Sequence, residues 1–334
     1  MRKKENIQKL FDDFSKLTVL IVGDVMLDDY ILGDVSRISP EAPVPIVNIT
    51  SRRACLGGAA NVALNIKSLG AKSVLCSVIG EDKKSDDFLT IMQQERLDCH
   101  GIIKSKDRIL TTKYRAIGNN MQLLRLDSEV THSLSQNDEQ RFCDTLLSVI
   151  NTQSIDAVIF EDYDKGVITP VLINQIVAAS KEKSIPIAVD PKKRNFLSYN
   201  NIDLFKPNWK ELNEGLQIEK CGRQDHRLHD AVKQFMINKQ HKHLLLTLSG
   251  DGVLIYCFEN EAFRYTHIPA QVRNIADVSG AGDTVISVAV LCMAAGLEME
   301  DIAMISNVAG GLVCEEVGVV AVNKEKLMAE LGGG

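Results

Sequence analysis

The 334 residues are 45% hydrophobic, enough for one large core or two ordinary ones, which excludes a chain dominated by disorder. A formal net charge of -6 and a pI near 5.7 exclude a broad nucleic-acid-binding face, because phosphate backbones are held by clustered Lys and Arg. The eight cysteines, at 55, 76, 99, 143, 221, 257, 292 and 314, show no C-x-x-C pair and no zinc spacing, and most sit in apolar stretches, so buried thiols in a reducing cytoplasm are expected.

Ile7, Leu10, Phe11, Phe14 and Leu17 make an amphipathic helical stripe at the start of the chain, unlike the continuous apolar run of a signal peptide. Short apolar runs then alternate with helical patterns. Strands are expected at 18–23, 73–79, 156–161, 185–190, 203–206, 243–248 and 253–257. Helices are expected at 57–69, 83–96, 135–150, 169–182, 226–238, 281–295 and 299–316, with a final one over 324–331. That alternation signifies an α/β fold, a mostly parallel sheet covered by helices. Two stretches break the rhythm: 30–53, with Pro40, Pro43 and Pro45, and 107–127, which reads as a hairpin about Gly118-Asn119-Asn120. Together they predict a small antiparallel β lid within a single domain over 1–328, followed by a tail at 329–334. The apolar stretch 285–297 is too short to span a bilayer, so a soluble protein with no membrane partner is expected.

Several segments fall where strands end, the usual ligand edge of a parallel sheet. Asp24 and Asp28 follow the first strand and suit sugar hydroxyls; ordinary loop acids are the plain alternative. Asp190-Pro-Lys192-Lys193 follows another strand, and Lys192 is in reach of a nucleotide's phosphates unless the segment is only a charged turn. Asn208-Trp-Lys-Glu211 is either a functional element or a capping box. The most informative segment is Asp277-Val-Ser279-Gly280-Ala281-Gly282-Asp283-Thr284, running into an apolar helix. Small residues let backbone N–H groups approach an anion, and the helix adds its positive end. A carboxylate at such a nest is awkward unless it does chemistry, which makes Asp283 the natural acceptor for a hydroxyl proton. A plain helix N-cap is the structural alternative. No P-loop and no H-R-D kinase triad occur, and a dinucleotide fingerprint is disfavoured by the missing third glycine.

D-V-S-G-A-G-D-T resembles the second signature of the ribokinase-like (PfkB) carbohydrate kinases, and Gly57-Gly58-Ala-Ala-Asn61-Val-Ala63 resembles the first, in the same order and at a similar separation. The resemblance covers roughly residues 17 to 328; Val278 stands where the family usually has Thr. It implies a three-layer sandwich with Asp283 as base and Gly280, Ala281 and Gly282 stabilising the transferring phosphoryl group. Asp24, Asp28, Gly57, Gly58 and Asn61 would grip the sugar. Lys192, Asn208, Thr247, Ser249, Gly250, Gly252 and Asn307 would contact ATP, and Glu211 would organise Mg²⁺ through water. Asp277 and Ser279 resemble ligands of an activating monovalent cation, K⁺ being the candidate, with the turn at Gly318 adding carbonyls.

Gly23-Asp-Val-Met-Leu-Asp28-Asp-Tyr30, Ser36-Arg37-Ile-Ser-Pro-Glu41-Ala-Pro-Val-Pro45 and Asp162-Tyr-Asp-Lys165-Gly166 further resemble D-glycero-D-manno-heptose-7-phosphate kinases, which phosphorylate C1 on the way to ADP-heptose and lipopolysaccharide. Arg37, Lys113, Arg115, Arg125 and Lys165, all in the lid or an edge loop of an acidic protein, suit a distal phosphate, and Asp162 belongs to the same segment. Exposed lid cations are the plain alternative. A kinase for a fructose- or tagatose-type phosphate, a non-catalytic sugar-binding regulator and a dehydrogenase are the rival readings. No H-x-G-H nucleotidyltransferase motif is present, so adenylyl transfer is expected on another polypeptide or on a longer form of the chain. The lid's open edges predict a homodimer.

Overall fold

A computed structural model describes residues 4–119, 121–218, 225–259 and 261–333. In chain order the elements are α1 (Lys4–Phe14), β1 (Thr18–Gly23), β2 (Val25–Ile38), β3 (Pro45–Gly58), α2 (Ala59–Ser68), β4 (Lys72–Gly80), α3 (Lys83–Gln94), β5 (Ile102–Ser105), β6 (Thr111–Gly118) and β7 (Met121–Ser128). There follow α4 (Gln136–Thr152), β8 (Ala157–Glu161), α5 (Pro170–Glu182), β9 (Ile187–Asp190), β10 (Leu204–Phe205), α6 (Trp209–Leu216), α7 (His226–Lys239) and β11 (His243–Thr247). The chain closes with β12 (Val253–Glu259), β13 (Ala262–Ile268), α8 (Ala281–Ala294), α9 (Met299–Val313) and α10 (Lys324–Gly332).

The apolar runs β1, β4, β8 and β9 are almost entirely buried, as strands covered on both faces must be. They lie in a nine-stranded sheet of order β13-β12-β11-β10-β9-β8-β1-β4-β5, parallel except for the antiparallel β11–β12–β13 edge. One core, with Phe11, Phe14, Phe88 and Leu291, covers one face; a second, with Phe142, Phe160, Phe205 and Tyr256, covers the other. This is the predicted α/β sandwich.

The lid is a four-stranded sheet of order β3-β2-β6-β7. β6 and β7 make the expected hairpin, turning at Gly118 and at Asn119, whose φ is 51°; Asn120 lies outside the described residues, as does Cys221. The strand expected from residue 30 begins at Val25, one residue after β1, so Asp28 stands on the lid itself. Gly57 and Gly58, expected in a helix, close β3 instead: they pair with Met26 and Val25, and Gly58 adopts a φ of 59°, which bars it from the right-handed helix. Three elements, β5, α6 and β13, were not expected. α10 runs past the expected start of the tail, to Gly332. Cys76, Cys143 and Cys257 are buried free thiols. No described helix is long and apolar enough to cross a membrane.

Candidate active site

Asp283 lies on the first turn of α8, whose N-cap Gly280 takes a left-handed φ of 80°. A Cβ on Gly280 would stand 2.9 Å from Asn61 Nδ2, so the turn closes against α2 only with glycine there. Asn61 is completely buried on α2 and donates to Asp283 Oδ2 at 2.7 Å; Tyr163, in the loop after β8, donates its hydroxyl to Oδ1 at 2.7 Å. Burial pushes the Asp283 carboxyl up to about 6, against the pull of these two donors; Asp190 raises it further and Lys206 lowers it. A carboxylate poised near neutrality and gripped from two sides is suited to taking a proton.

Three acids, Glu161, Asp190 and Glu211, lie below. Glu161 ends β8 fully buried, with both carboxylate oxygens lacking a hydrogen-bond partner among the described residues. Burial, then Asp190 and Asp283, hold its carboxyl well above the ordinary range, against the pull of Lys206 and Lys192. Asp190, ending β9, pairs with the buried Lys206 ammonium at 2.7 Å and with Lys192 at 3.7 Å. Burial opposes the charge on Lys192, yet Asp190 and Glu211 hold it above the ordinary lysine value. Asn208 and Glu211 do form a capping box: Asn208 accepts from the Glu211 N–H at 2.9 Å, Glu211 Oε2 accepts from the Asn208 N–H at 2.8 Å, and Oε1 meets Lys192.

Above this trio opens a cavity of about 630 Å³. Lys192, Asn208, Thr247, Ser249, Gly250, Gly252, Gly280, Ala281, Gly282, Asp283 and Asn307 all line it, whereas Glu211 reaches it only through Lys192. Asn307 donates to the Pro269 carbonyl at 3.0 Å, closing the far wall. The fully exposed Val272 and the exposed Ile275 and Val278 give one wall an apolar face fit for a flat ring. Lys206 and Asp190 each come within 3.7 Å of where a Cβ on Gly282 would stand, so a buried ammonium faces the glycine nest.

On the lid side, Asp28 meets the Arg115 guanidinium, which also lies 5.3 Å over the Tyr30 ring. Gly57 packs directly on Asp28, and Gly58 on the Asp24 carbonyl, with no room for a side chain at either. Lys113 sits 5.4 Å over the Tyr163 ring, so Lys113 and Arg115 reach inward from one strand face while Tyr114 turns toward Lys84. Lys165 pairs with Glu129 at 2.8 Å. Arg125 is exposed and pairs with Asp127 at 3.0 Å, opposite Arg115 across the hairpin; Arg37 is exposed on β2, opposite Ile46.

Two acids turn elsewhere. Asp24 Oδ2 accepts from the Tyr163 and Lys165 N–H groups at 2.8 and 3.1 Å, and Oδ1 from Val167 at 3.1 Å, so both oxygens are spent on the 163–167 loop. Asp162 points into the second core, where Asn195 and Tyr199 donate to it at 2.9 and 3.1 Å. Asp277 ties two turns together: Oδ1 accepts from Ser279 N and Oγ at 2.9 and 2.8 Å, Oδ2 from Gly318 N at 3.0 Å. Those bonds outweigh its burial and hold its carboxyl below the usual range.

Sequence reasoning passed over Tyr163, Glu161 and Lys206 as site residues. The available signal was a charged or aromatic side chain at or just past the end of an apolar run.

A family model described as pfkB family carbohydrate kinase matches residues 16–326. Bifunctional protein HldE of Methylobacillus flagellatus is 37% identical over 313 residues, 94% of this chain and 63% of the relative. Bifunctional protein HldE of Geobacter sulfurreducens is 32% identical over 332 residues, 99% of this chain and 66% of the relative. The chain thus spans just under two thirds of these relatives' length. Among solved structures, phosphofructokinase-2 from Escherichia coli in complex with potassium superposes with a TM-score of 0.75 at 18% identity, covering 94% of this chain and 99% of that one.

Proposed function

The chain belongs to the pfkB family of carbohydrate kinases and is a sugar kinase with a ribokinase-like fold; on that premise we propose that it transfers the γ-phosphoryl group of ATP to the C1 hydroxyl of D-glycero-β-D-manno-heptose 7-phosphate, giving the 1,7-bisphosphate. The observation that carries the reading is Asp283: a carboxylate held near pH 6 between a glycine nest and the lid, where an alcohol and a terminal phosphate would meet. Asp283 accepts the alcohol's proton as its oxygen attacks phosphorus; ADP leaves. The N–H groups of Gly280, Ala281 and Gly282, the positive end of α8 and Lys206 neutralise the charge gathering on the transferring group.

The heptose assignment is supported by the resemblance to the HldE proteins and by Lys113 and Arg115, two cations turned inward from the lid of an acidic protein. Arg115 with Asp28, and Asn61 with Gly57 and Gly58, form the acceptor side. Lys165, Arg125 and Arg37 stand farther out, where a distal phosphate would recruit them.

Mg²⁺ fits the residues present. Asp190 Oδ1 is buried without a hydrogen-bond partner among the described residues, and Glu211 shares Lys192 with it, two carboxylates that would hold through water an ion that keeps most of its shell. When bound, the ion neutralises phosphate charge. Asp277 and Ser279, drawn onto the Gly318 turn, are the proposed K⁺ site. The lid exposes Ile38, Ile49, Met121, Leu124 and Leu126, apolar side chains that a second subunit would cover, and a homodimer in the cytoplasm is the proposed working state. A monomeric mass by light scattering at micromolar concentration would contradict it.

The test is a panel of heptose 7-phosphate, fructose 6-phosphate and tagatose 6-phosphate with ATP, read by ADP release and by phosphorus NMR of the product. A new anomeric phosphate on the heptose is expected; exclusive use of a hexose phosphate rejects the heptose assignment.

A further inference from the structure

Tyr163 occupies a place that the proposed reaction leaves unexplained. Its loop is pinned on every side. Asp24 takes the N–H groups of residues 163, 165 and 167, and Arg108 donates to the Lys165 carbonyl. Asp162 is locked to Asn195 and Tyr199. Asp164 holds a left-handed φ of 55°, a strain borne where the surroundings over-determine the backbone, and Gly166 takes a φ of 86° that glycine allows freely. All this fixes one side chain. The Tyr163 hydroxyl lies 2.7 Å from Asp283 Oδ1, and its ring faces two ammonium groups, Lys113 from the lid at 5.4 Å and Lys192 from the nucleotide side at 5.1 Å.

We propose that Tyr163 is a positioning residue for phosphoryl transfer: its hydroxyl fixes one oxygen of Asp283 and sets the strength of that base, while its ring seats the two lysines that flank the acceptor and the nucleotide. The proposal rests on the reading of Asp283 as the base. Asn61 holds the other oxygen, so the carboxylate plane is set by two donors from different elements, and each oxygen keeps a lone pair for the incoming alcohol. The groups facing Asp283 are Asn61 from α2, Glu161 and Tyr163 from β8 and its loop, Asp190 from the end of β9 and Lys192 just after it, and Lys206 from just after β10. Tyr163 stays a phenol, since burial and the acids around it raise its own proton affinity. It therefore donates throughout the cycle, and it favours the ionised form of Asp283 against its burial.

The full chain is labelled with ¹³C at its aspartate carboxyls, and the Asp283 signal is identified by its loss in Asp283→Asn. Its midpoint is expected near 6 in the unchanged protein. In Tyr163→Phe, which keeps the ring, the midpoint should rise by roughly one unit or more, with the thermal midpoint within a few degrees. The acid limb of ADP release should rise in step, with turnover at pH 7 about two- to tenfold lower and KM for ATP and heptose 7-phosphate within about threefold. Replacing Tyr163 by 3,5-difluorotyrosine, a stronger donor of the same shape, should move the midpoint down. An unmoved midpoint in either folded variant overturns the proposal. Near-normal turnover of Asp283→Asn overturns instead the identity of the base, so the two failures are distinct.

Discussion

Changing Asp283 to Asn should set turnover against stability. The carboxyl is completely buried and its proton affinity is raised from an ordinary 3.8 to about 6, so ionising it costs the folded state about 3 kcal/mol. The sign follows from the direction. Because the native value is raised, the folded protein keeps its proton where the unfolded chain has lost it. This contribution to folding is complete below about pH 4 and disappears as pH rises through 6. Asn never ionises, still offers an oxygen to Asn61, and turns its amide toward a Tyr163 hydroxyl that accepts as well as donates. The variant should therefore gain about 1.5 kcal/mol at pH 5 and about 3 kcal/mol at pH 8, read from urea unfolding. ADP release at pH 8 should fall by about 10²- to 10⁴-fold. A variant no more stable than its parent at pH 8, or a gain flat across that range, would show that the carboxyl does not carry this burden.

The glycine nest offers a contrast between neighbours. Gly280→Ala forces a Cβ into the left-handed region and against Asn61, and should cost about 1–2 kcal/mol and at least tenfold in turnover; Gly282→Ala has helical backbone and room, and should leave the thermal midpoint unchanged while lowering turnover. Arg115→Met strands the buried Asp28 carboxylate, and should destabilise by about 3 kcal/mol and raise KM for the sugar phosphate more than for ATP. His241 is stacked 4.8 Å from Phe205, with neither ring nitrogen hydrogen-bonded among the described residues, and burial pushes its pKa down to about 3. The stability it contributes above pH 6.5 is lost as pH falls toward 3, so His241→Phe should gain about 2 kcal/mol at pH 5 relative to its effect at pH 8. Paired urea unfolding curves at the two pH values check this.

What was legible in the sequence was local. Gly280, Asp283 and the apolar α8 announce themselves by punctuation and periodicity, and the parallel strands by short apolar runs that no other arrangement buries. Where a neighbour decides, the reading slipped. Gly57-Gly58-Ala-Ala continues smoothly into a helical pattern, and only pairing with β2 makes the glycines strand. β13 is mostly exposed and owes its existence to β12 alone, so it carries no alternation to find. Acids at the ends of β1 and β8 were placed at the correct edge, but the side on which a carboxylate finds its donors is settled by distant segments: the 163–167 loop for Asp24, Asn195 and Tyr199 for Asp162. Asp24 and Asp162 spend themselves on scaffolding, while Glu161, whose carboxylate has no hydrogen-bond partner among the described residues, sits at the centre.

The root of the lid has no slack. A single residue separates β1 from β2, and Asp24 there donates its N–H to Glu161 and receives the Ala59 N–H on its carbonyl, while β3 passes straight into α2. A lid joined in this way cannot swing like a door on a tether. On the proposed reading, a bound acceptor that drew the tip down would pull on α2, which carries Asn61, and through Asn61 on the Asp283 carboxylate, so that grip and chemistry would share one lever.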